Sequence, residues 1–360
     1  MVLHEFHEGL HARFGEVEGS EVVDSYGDAA AEHDALRTTA GVIDLSFRNR
    51  LCVTGTDRAR FLNGQVTNNV KDLVPGKGCY AALVNAKGRL ESDLNVHCLR
   101  DELLLDFEPG LAVRVRERLE RYLVADDVEV VDVTPHYGLL AVLGPKSAEV
   151  IDWLGLGLGL PATPLSSASA DLPDVGELVA VNHPRGAAAG FDLFVPASAL
   201  AALAEKLIAA AKDAGGRPCG WQALEMVRIE AGMPRFGVDM DGTNLAPEAG
   251  IESRAISYTK GCYIGQEIIN RLHTFAQVSK SLLALRLDDD LKSLPIRGDK
   301  LLRDGKEVGH ITSALASPTF QANIALGYVR REWTAAGTEL TLRTAAGDSP
   351  ARVVALPFSR

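Results

Sequence analysis

The stretch Lys260-Gly261-Cys262-Tyr263-Ile264-Gly265-Gln266-Glu267 combines residue types that can do chemistry with a spacing that can expose them. Ile264, Ile268 and Leu272 recur at helical spacing, which predicts a short amphipathic helix over Ile264 to His273. Gln266, Asn270 and His273 would share its polar face, and Glu267 and Arg271 form an i,i+4 pair of the favourable orientation. Cys262 would then stand at a helix N-terminus with Lys260 close by. Unpaired amides, the helix dipole and a cation all favour the thiolate, the nucleophilic and metal-binding form of cysteine. A small buried apolar residue is the plainer alternative, since free cysteines are usually packed away.

Two further stretches carry candidate groups. Asp57 and Arg58 to Leu62 give helix-start signals, and Gly64-Gln65-Val66-Thr67-Asn68-Asn69 reads as a helix end and a polar loop. The amides of Gln65 and Asn68 and the Thr67 hydroxyl are groups that orient a heterocycle by hydrogen bonds. The same pattern also serves as a helix cap and turn. In the predicted strand Arg89 to His97, Leu90, Leu94 and Val96 alternate with Arg89, Glu91, Asp93, Asn95 and His97. Its polar face is either solvated, as in a half-buried antiparallel sheet, or lines a ligand cleft with Asp93.

The run K-G-C-Y-I-G-Q-E resembles the signature of the YgfZ family of folate-binding proteins, relatives of the glycine cleavage T-protein (aminomethyltransferase). Phe61 to Val70 is similar to that family's F-L-x-G-Q-x-T-N-D-V, with Asn69 in place of the aspartate. Val227-Arg228-Ile229-Glu230-Ala231-Gly232-Met233-Pro234 and Pro247-Glu248-Ala249-Gly250 extend the likeness, which runs from about Gly41 to Phe358. It implies a tetrahydrofolate-binding protein, holding the folate or a one-carbon derivative, that acts in iron–sulfur cluster assembly or repair. Cys262 would be the functional cysteine, and Lys260, Gly261, Tyr263, Gly265, Gln266 and Glu267 the rest of the motif. Asp192 matches the T-protein glutamate that grips the pterin, and a carboxylate suits a 2-aminopyrimidinone edge; an ordinary strand aspartate is the alternative. Arg228 would meet a substrate carboxylate or else pair with Glu225 or Glu230. Asp93 matches a catalytic T-protein aspartate, but Ser92 stands where a second carboxylate is frequent. That loss counts against the rival function, a folate-dependent aminomethyltransferase or methyltransferase. A folate binder without chemistry is the third reading.

Composition bounds the rest. The chain has 360 residues, 46% hydrophobic and 24% charged, which is ordinary for a globular protein of two or three domains. A net charge of −11 argues against nucleic acid as main partner, because phosphate neutralisation needs clustered cations. The family resemblance implies folate as ligand and iron–sulfur assembly proteins or client enzymes as partners. No run is apolar and long enough to span a bilayer and Met1 to Gly15 lacks a signal-peptide pattern, so the expectation is a cytoplasmic monomer without membrane contact. Cys52, Cys79, Cys98, Cys219 and Cys262 include no C-x-x-C pair, which argues against a disulfide scaffold, a zinc site or a stably held cluster. His4, His7, His11 and His33 read as scattered surface residues.

The elements that must position these groups are α+β. Strands are predicted at Val42–Ser46, Arg50–Thr54, Tyr80–Asn85, Glu102–Asp106, Val128–Val133, Leu139–Leu143, Leu178–Asn182 and Phe191–Val195. Amphipathic or alanine-rich helices fall at Ala29–Leu36, Leu111–Leu123, Ala197–Ala214 and Gly220–Ala231. The Gly-, Pro- and Ser-rich stretch Gly155 to Gly176 reads as a surface loop or linker. Beyond Val278, short strands separated by Gly298-Asp299, Asp304-Gly305 and Ala346-Gly347 predict a small antiparallel barrel. The family resemblance turns this into a T-protein-like fold, with two interleaved α/β lobes of antiparallel sheets and a C-terminal β-barrel. The boundaries expected are 1–277 for the folate-binding region, with lobes at about 41–135 and 136–277, and 278–360 for the barrel.

Overall fold

The computed structural model describes every residue except Asp174, Ala276, Pro357, Ser359 and Arg360, together with all side chains but that of Phe275. The chain forms two compact units. One comprises Met1–Ala81 and Ser92–Val227; the other comprises Ala82–Glu91 and Arg228–Arg360.

The first unit is built on two large sheets, beside the two-stranded hairpin of Arg13–Val17 and Ser20–Ser25. A six-stranded sheet runs in the order Ser167–Leu172, Gly176–Asn182, Gly190–Pro196, Tyr137–Leu143, Gly41–Asp44, Arg217–Pro218. Its strands pair antiparallel except for the short last one, which lies parallel to Gly41–Asp44. A five-stranded sheet has the order Lys77–Val84, Leu90–Cys98, Leu103–Phe107, Asn49–Thr54, Glu129–Asp132. The chain enters the first sheet at Gly41–Asp44, builds the second with its next five strands, and then returns. The lobes are therefore interleaved in chain order, as in the expected fold.

Period-2 alternation sorts the six-stranded sheet onto two cores. Val42, Leu140, Val142, Leu178, Ala180, Leu193 and Val195 pack with the helix Leu200–Asp213 on one face. Ile43, Leu139, Ala141, Leu143, Val179, Val181 and Phe194 face the other way, onto Cys52 and Leu104 of the five-stranded sheet and the helix Ala29–Thr38. Each such buried Leu or Val contributes about 1.5–3 kcal/mol relative to exposure. The same alternation fixes the polar residues. Asp192 lies two positions from Phe194, so it too points between the sheets. Asp106, two from Leu104, points there from the opposite side.

Two sequence expectations need correction here. Within Gly155 to Gly176, residues Ser167–Leu172 form an edge strand registered on Gly176–Asn182, with Ser167 opposite Val181. The alternation in Ser-Ala-Ser-Ala-Asp-Leu suffices for an edge, where only one neighbour must be satisfied; Asp174 of that stretch lies outside the described residues. Nor are all the N-terminal histidines on the surface. His33 is buried, and His7 is buried with Nε2 3.0 Å from an Asp44 carboxylate oxygen and Nδ1 2.8 Å from the Tyr26 hydroxyl. The short helix His4–Gly9 thereby closes the edge of the first core.

The second unit carries the closed antiparallel barrel, ordered Lys280–Leu287, Ala322–Arg330, Lys306–Ser317, Lys300–Arg303, Glu339–Thr344, Gly347–Val354 and back to the first. Alternation again gives two faces: Leu285, Leu287, Leu301, Ile311, Leu342 and Val353 fill the barrel. Leu282, Ala284, Ile324, Leu326 and Tyr328 pack outside it with Ile229 and Phe358. Among the described residues no helix is long and apolar enough to cross a membrane.

Candidate functional site

Between the two sheets of the first unit lies a layer of charge. Asp106 is at its centre, fully buried. It accepts from Arg48 Nε at 2.9 Å and Nη2 at 3.2 Å, from Asn95 Nδ2 at 3.1 Å and from Arg185 Nη2 at 3.3 Å. Arg185 continues to Asp192, donating from Nε at 2.8 Å and from Nη2 at 2.6 Å, while His183 Nδ1 lies 2.8 Å from the same carboxylate. Arg48 also pairs with Glu108. Burial works to raise the pKa of both Asp106 and Asp192. The guanidiniums of Arg48 and Arg185 overcome that for Asp106, and Arg185 and His183 do so for Asp192. Both carboxylates are held below their usual range. Arg185 adopts φ +49, in the left-handed region, within the turn Pro184-Arg185-Gly186. A non-glycine residue is held there only when its surroundings over-determine it, which two buried carboxylates do.

The strand Leu90–Cys98 brings Asp93, Asn95 and His97 into this layer on one face. The expected alternation holds, but its polar face is solvated only at the start: Asn95 and His97 are buried. His97 stacks at a tilt on Phe194, ring centroids 5.7 Å apart, with neither ring nitrogen hydrogen-bonded. Burial pulls its pKa down to about 4, so the ring is neutral at pH 7.

Asp93 is half-buried and is the titratable group of the site. Tyr80 Oη donates to its carboxylate at 2.7 Å. Burial and the nearby Glu108 carboxylate nevertheless push Asp93 up to about 6. A carboxyl poised there can take or give a proton near neutrality. Ser92, fully buried, turns its hydroxyl to the Asp93 carbonyl at 2.8 Å and adds no second acid. Because the folded-state pKa is raised above the ordinary 3.8, ionised Asp93 opposes folding above about pH 6, and protonation relieves that as pH falls towards 4. Asp93→Asn should therefore raise the urea midpoint at pH 8 and lose its advantage by pH 4.5. Equal midpoints at pH 8 would contradict this origin of the shift.

The loop candidates hold the chain itself. Gln65, the last residue of the helix Arg58–Gln65, accepts from Arg118 at 2.9 Å. Thr67 is fully buried, and the Asn68 side chain donates to the Tyr80 carbonyl at 2.8 Å and accepts from Asn69 N at 2.8 Å. Asn68 thus fixes the strand that carries Tyr80, and through it the partner of Asp93.

In the second unit, Arg228 is buried. It donates to Asp239 at 2.7 Å, to the Met233 carbonyl at 3.3 Å and to Ser313 Oγ at 3.0 Å. Asp239 is one acid that holds it, and Glu230 accepts from Ser317 and Thr319. Asp239 also accepts from Thr312 and Ser313, so Arg228 belongs to a closed structural knot.

The signature helix runs Gln266–Phe275, beginning two residues later than predicted. Gly265 is the reason. Its φ of +84 breaks the helical path, and a Cβ there would come 2.6 Å from the Asn85 carbonyl oxygen. Cys262 thus precedes the first helical residue by four positions. Lys260 is buried with its ammonium 4.9 Å from the centre of the Tyr263 ring, a cation–π contact. Tyr263 is buried as well, while Gly261 and Glu267 are exposed and Gln266 is half-buried. The helix-terminus and lysine arrangement expected around the thiol is therefore redrawn. Cys262 itself is exposed, whereas Cys52, Cys98 and Cys219 are buried and Cys79 is half-buried. The packed alternative for Cys262 is excluded.

Sequence reasoning missed Arg48, Tyr80, Asp106, Glu108, His183 and Arg185. A signal existed for one: Asp106 interrupts the apolar run Leu103-Leu104-Leu105-Asp106-Phe107, and a carboxylate inside a buried strand must have a partner.

This architecture has close relatives. Residues 3–260 match the GCVT N-terminal domain, and residues 280–359 match the glycine cleavage T-protein C-terminal barrel domain. An aminomethyltransferase of Streptomyces coelicolor is 31% identical over 98% of this chain and 95% of its own length. A chloroplastic protein of Arabidopsis thaliana named as a transferase is 31% identical over 94% of this chain and 76% of its own. The crystal structure of the glycine cleavage system aminomethyltransferase T from Bartonella henselae superposes with a TM-score of 0.88 at 25% identity, covering 100% of this chain and 97% of that one. Aminomethyltransferases of this kind use tetrahydrofolate. The chain belongs to the glycine cleavage T-protein family.

Proposed function

We propose that this protein binds a reduced folate, tetrahydrofolate or a one-carbon derivative, and works in iron–sulfur cluster assembly or repair through Cys262. The observation that carries the reading is the exposure of Cys262 within K-G-C-Y-I-G-Q-E, while the other four cysteines are wholly or partly buried. Its partners would be assembly proteins or client enzymes that meet this exposed loop.

The donor set of the first unit fits the polar edge of a pterin in one respect and not in another. Asp93 and Tyr80 supply a carboxyl that exchanges a proton near neutrality, beside Glu108 and Arg48. Asp192 does not stand as a free acceptor, because Arg185 and His183 occupy its oxygens. Its part in the proposal is to hold those two side chains. Arg228 likewise acts by holding the knot around Asp239. The folate supplies a carrier for a one-carbon unit; Asp93 moves a proton, and Arg185 and His183 orient polar groups. Titration calorimetry with tetrahydrofolate should give saturable binding, weakened at least about tenfold in Asp192→Asn, equivalent to about 1.4 kcal/mol. Binding unchanged in that variant would remove Asp192 from the site.

A second reading, folate-dependent aminomethyl or methyl transfer, is favoured by the names of the full-length relatives and by the poised Asp93. Ser92 in place of a second carboxylate weighs against it. Mixed with the remaining glycine cleavage components and tetrahydrofolate, the protein should release no ammonia and form no methylene-tetrahydrofolate. Robust turnover would make the second reading the correct one.

A further inference from the structure

Away from these groups, the second unit holds a polar pocket of about 430 Å³ that no step above uses. Its volume lies within the range of about 300–1,000 Å³ typical of small-molecule sites. Two opposite charges line it. Arg331 makes no ion pair or side-chain hydrogen bond among the described residues, so its guanidinium keeps all its donors. Glu252 is committed through one oxygen only: Oε1 accepts from the Tyr258 hydroxyl and lies 3.1 Å from His273 Nδ1, leaving Oε2 open. The imidazole of His273 is further fixed by stacking on Tyr258, centroids 3.8 Å apart at 18°. Its Nε2 has no hydrogen-bond partner among the described residues, and the residue lines the pocket. Pro247, Leu272 and Val278 supply an apolar wall.

Charge complementarity selects the ligand class. A dicarboxylate would meet Glu252 Oε2, and a simple amine would meet Arg331. A monocarboxylate would leave Oε2 without a donor. We propose that this pocket binds a free α-amino acid, its carboxylate on Arg331, its ammonium on Glu252 Oε2 and its side chain along Leu272 and Val278. The guanidinium fork suits a carboxylate in two-point contact, and a pair of opposite charges at the two ends discriminates against molecules lacking either charge. His273, held by Glu252, adds one further polar contact to the ligand. The site is independent of the folate and cysteine proposals, since it shares no residue with them.

The test uses the full-length protein and the twenty proteinogenic amino acids, each followed by ligand-observed NMR and by thermal shift. At least one should bind saturably, while propionate and propylamine, as half-ligands, bind at least tenfold more weakly. Arg331→Ala and Glu252→Gln should each weaken the selected amino acid tenfold or more, with tetrahydrofolate binding unaltered. If Glu252→Gln disturbs folding through Tyr258, Arg331→Ala alone decides, because its side chain holds no other residue. Failure of all twenty to bind, or an affinity unchanged in Arg331→Ala, overturns the proposal.

Discussion

Cys262→Ser should fold, bind tetrahydrofolate as the wild type does, and fail to restore iron–sulfur enzyme activity in a strain lacking the gene. The side chain is exposed, and exchanging sulfur for oxygen there alters little packing, so stability should stay within about 0.5 kcal/mol. What changes is chemistry: a hydroxyl neither ionises near neutrality nor serves as a soft ligand for iron. The activity of client enzymes should therefore drop to the level of the deletion strain. Alkylation gives an independent reading. Iodoacetamide at neutral pH should label Cys262 first, because burial pushes the thiols of Cys52, Cys98 and Cys219 up and hides them from reagent. Full complementation by the serine variant, with Cys262 slow to label, would move the chemistry elsewhere and return the transferase reading to the front.

The other large effect lies in the charged layer. Asp106→Ala should lower the unfolding free energy by about 3–5 kcal/mol, the cost of leaving buried cations without their counter-charge. Arg48 and Arg185 both lose their shared acceptor, and Asn95 loses its own. Native stabilities of about 5–15 kcal/mol make such a loss visible as a large shift in urea midpoint. The pH dependence follows from the depressed carboxylate. Ionised Asp106 stabilises the fold fully above the ordinary carboxylate range, and that contribution fades as acid reaches its lowered pKa. The gap between wild type and variant should thus be widest at pH 6–8 and shrink under acid. A loss below about 1 kcal/mol at pH 7 would mean that the arginines find other partners. Tetrahydrofolate binding should fall with stability in this variant, since Arg185 is then held by Asp192 alone.

These two experiments probe different things because the sequence exposes the two sites unequally. The cysteine motif is a contiguous run, and local information suffices to single it out: Cys262 is flanked by glycines and followed by an amphipathic repeat. The same holds for the strands, whose short apolar runs at Leu139 to Leu143 and Phe191 to Val195 give their extent to within two residues. The barrel too was legible, through turn signals between short apolar runs. The interleaved lobes came from the family resemblance; the order of strands and helices along the chain agreed with α+β followed by all-β but did not specify them.

Pairing across sequence distance was not legible. Arg48, Asp106 and Arg185 are separated by 58 and 79 positions, and nothing local to any of them names the others. They meet because alternation turns Asp106 and Asp192 inward from opposite sheets, and a buried carboxylate keeps its charge only where cations arrive to hold it. For the same reason Asp192 reads in sequence as a free acceptor but in the fold as an occupied one, and Arg228 meets Asp239, an acid that no local pattern named. Exposure was the last undecided quantity. The sequence left Cys262 open between a reactive thiol and a packed one, because residue type fixes polarity while only the tertiary structure fixes access to solvent. The left-handed turn at Gly265 delays the helix by two residues, and Cys262 stays outside the core.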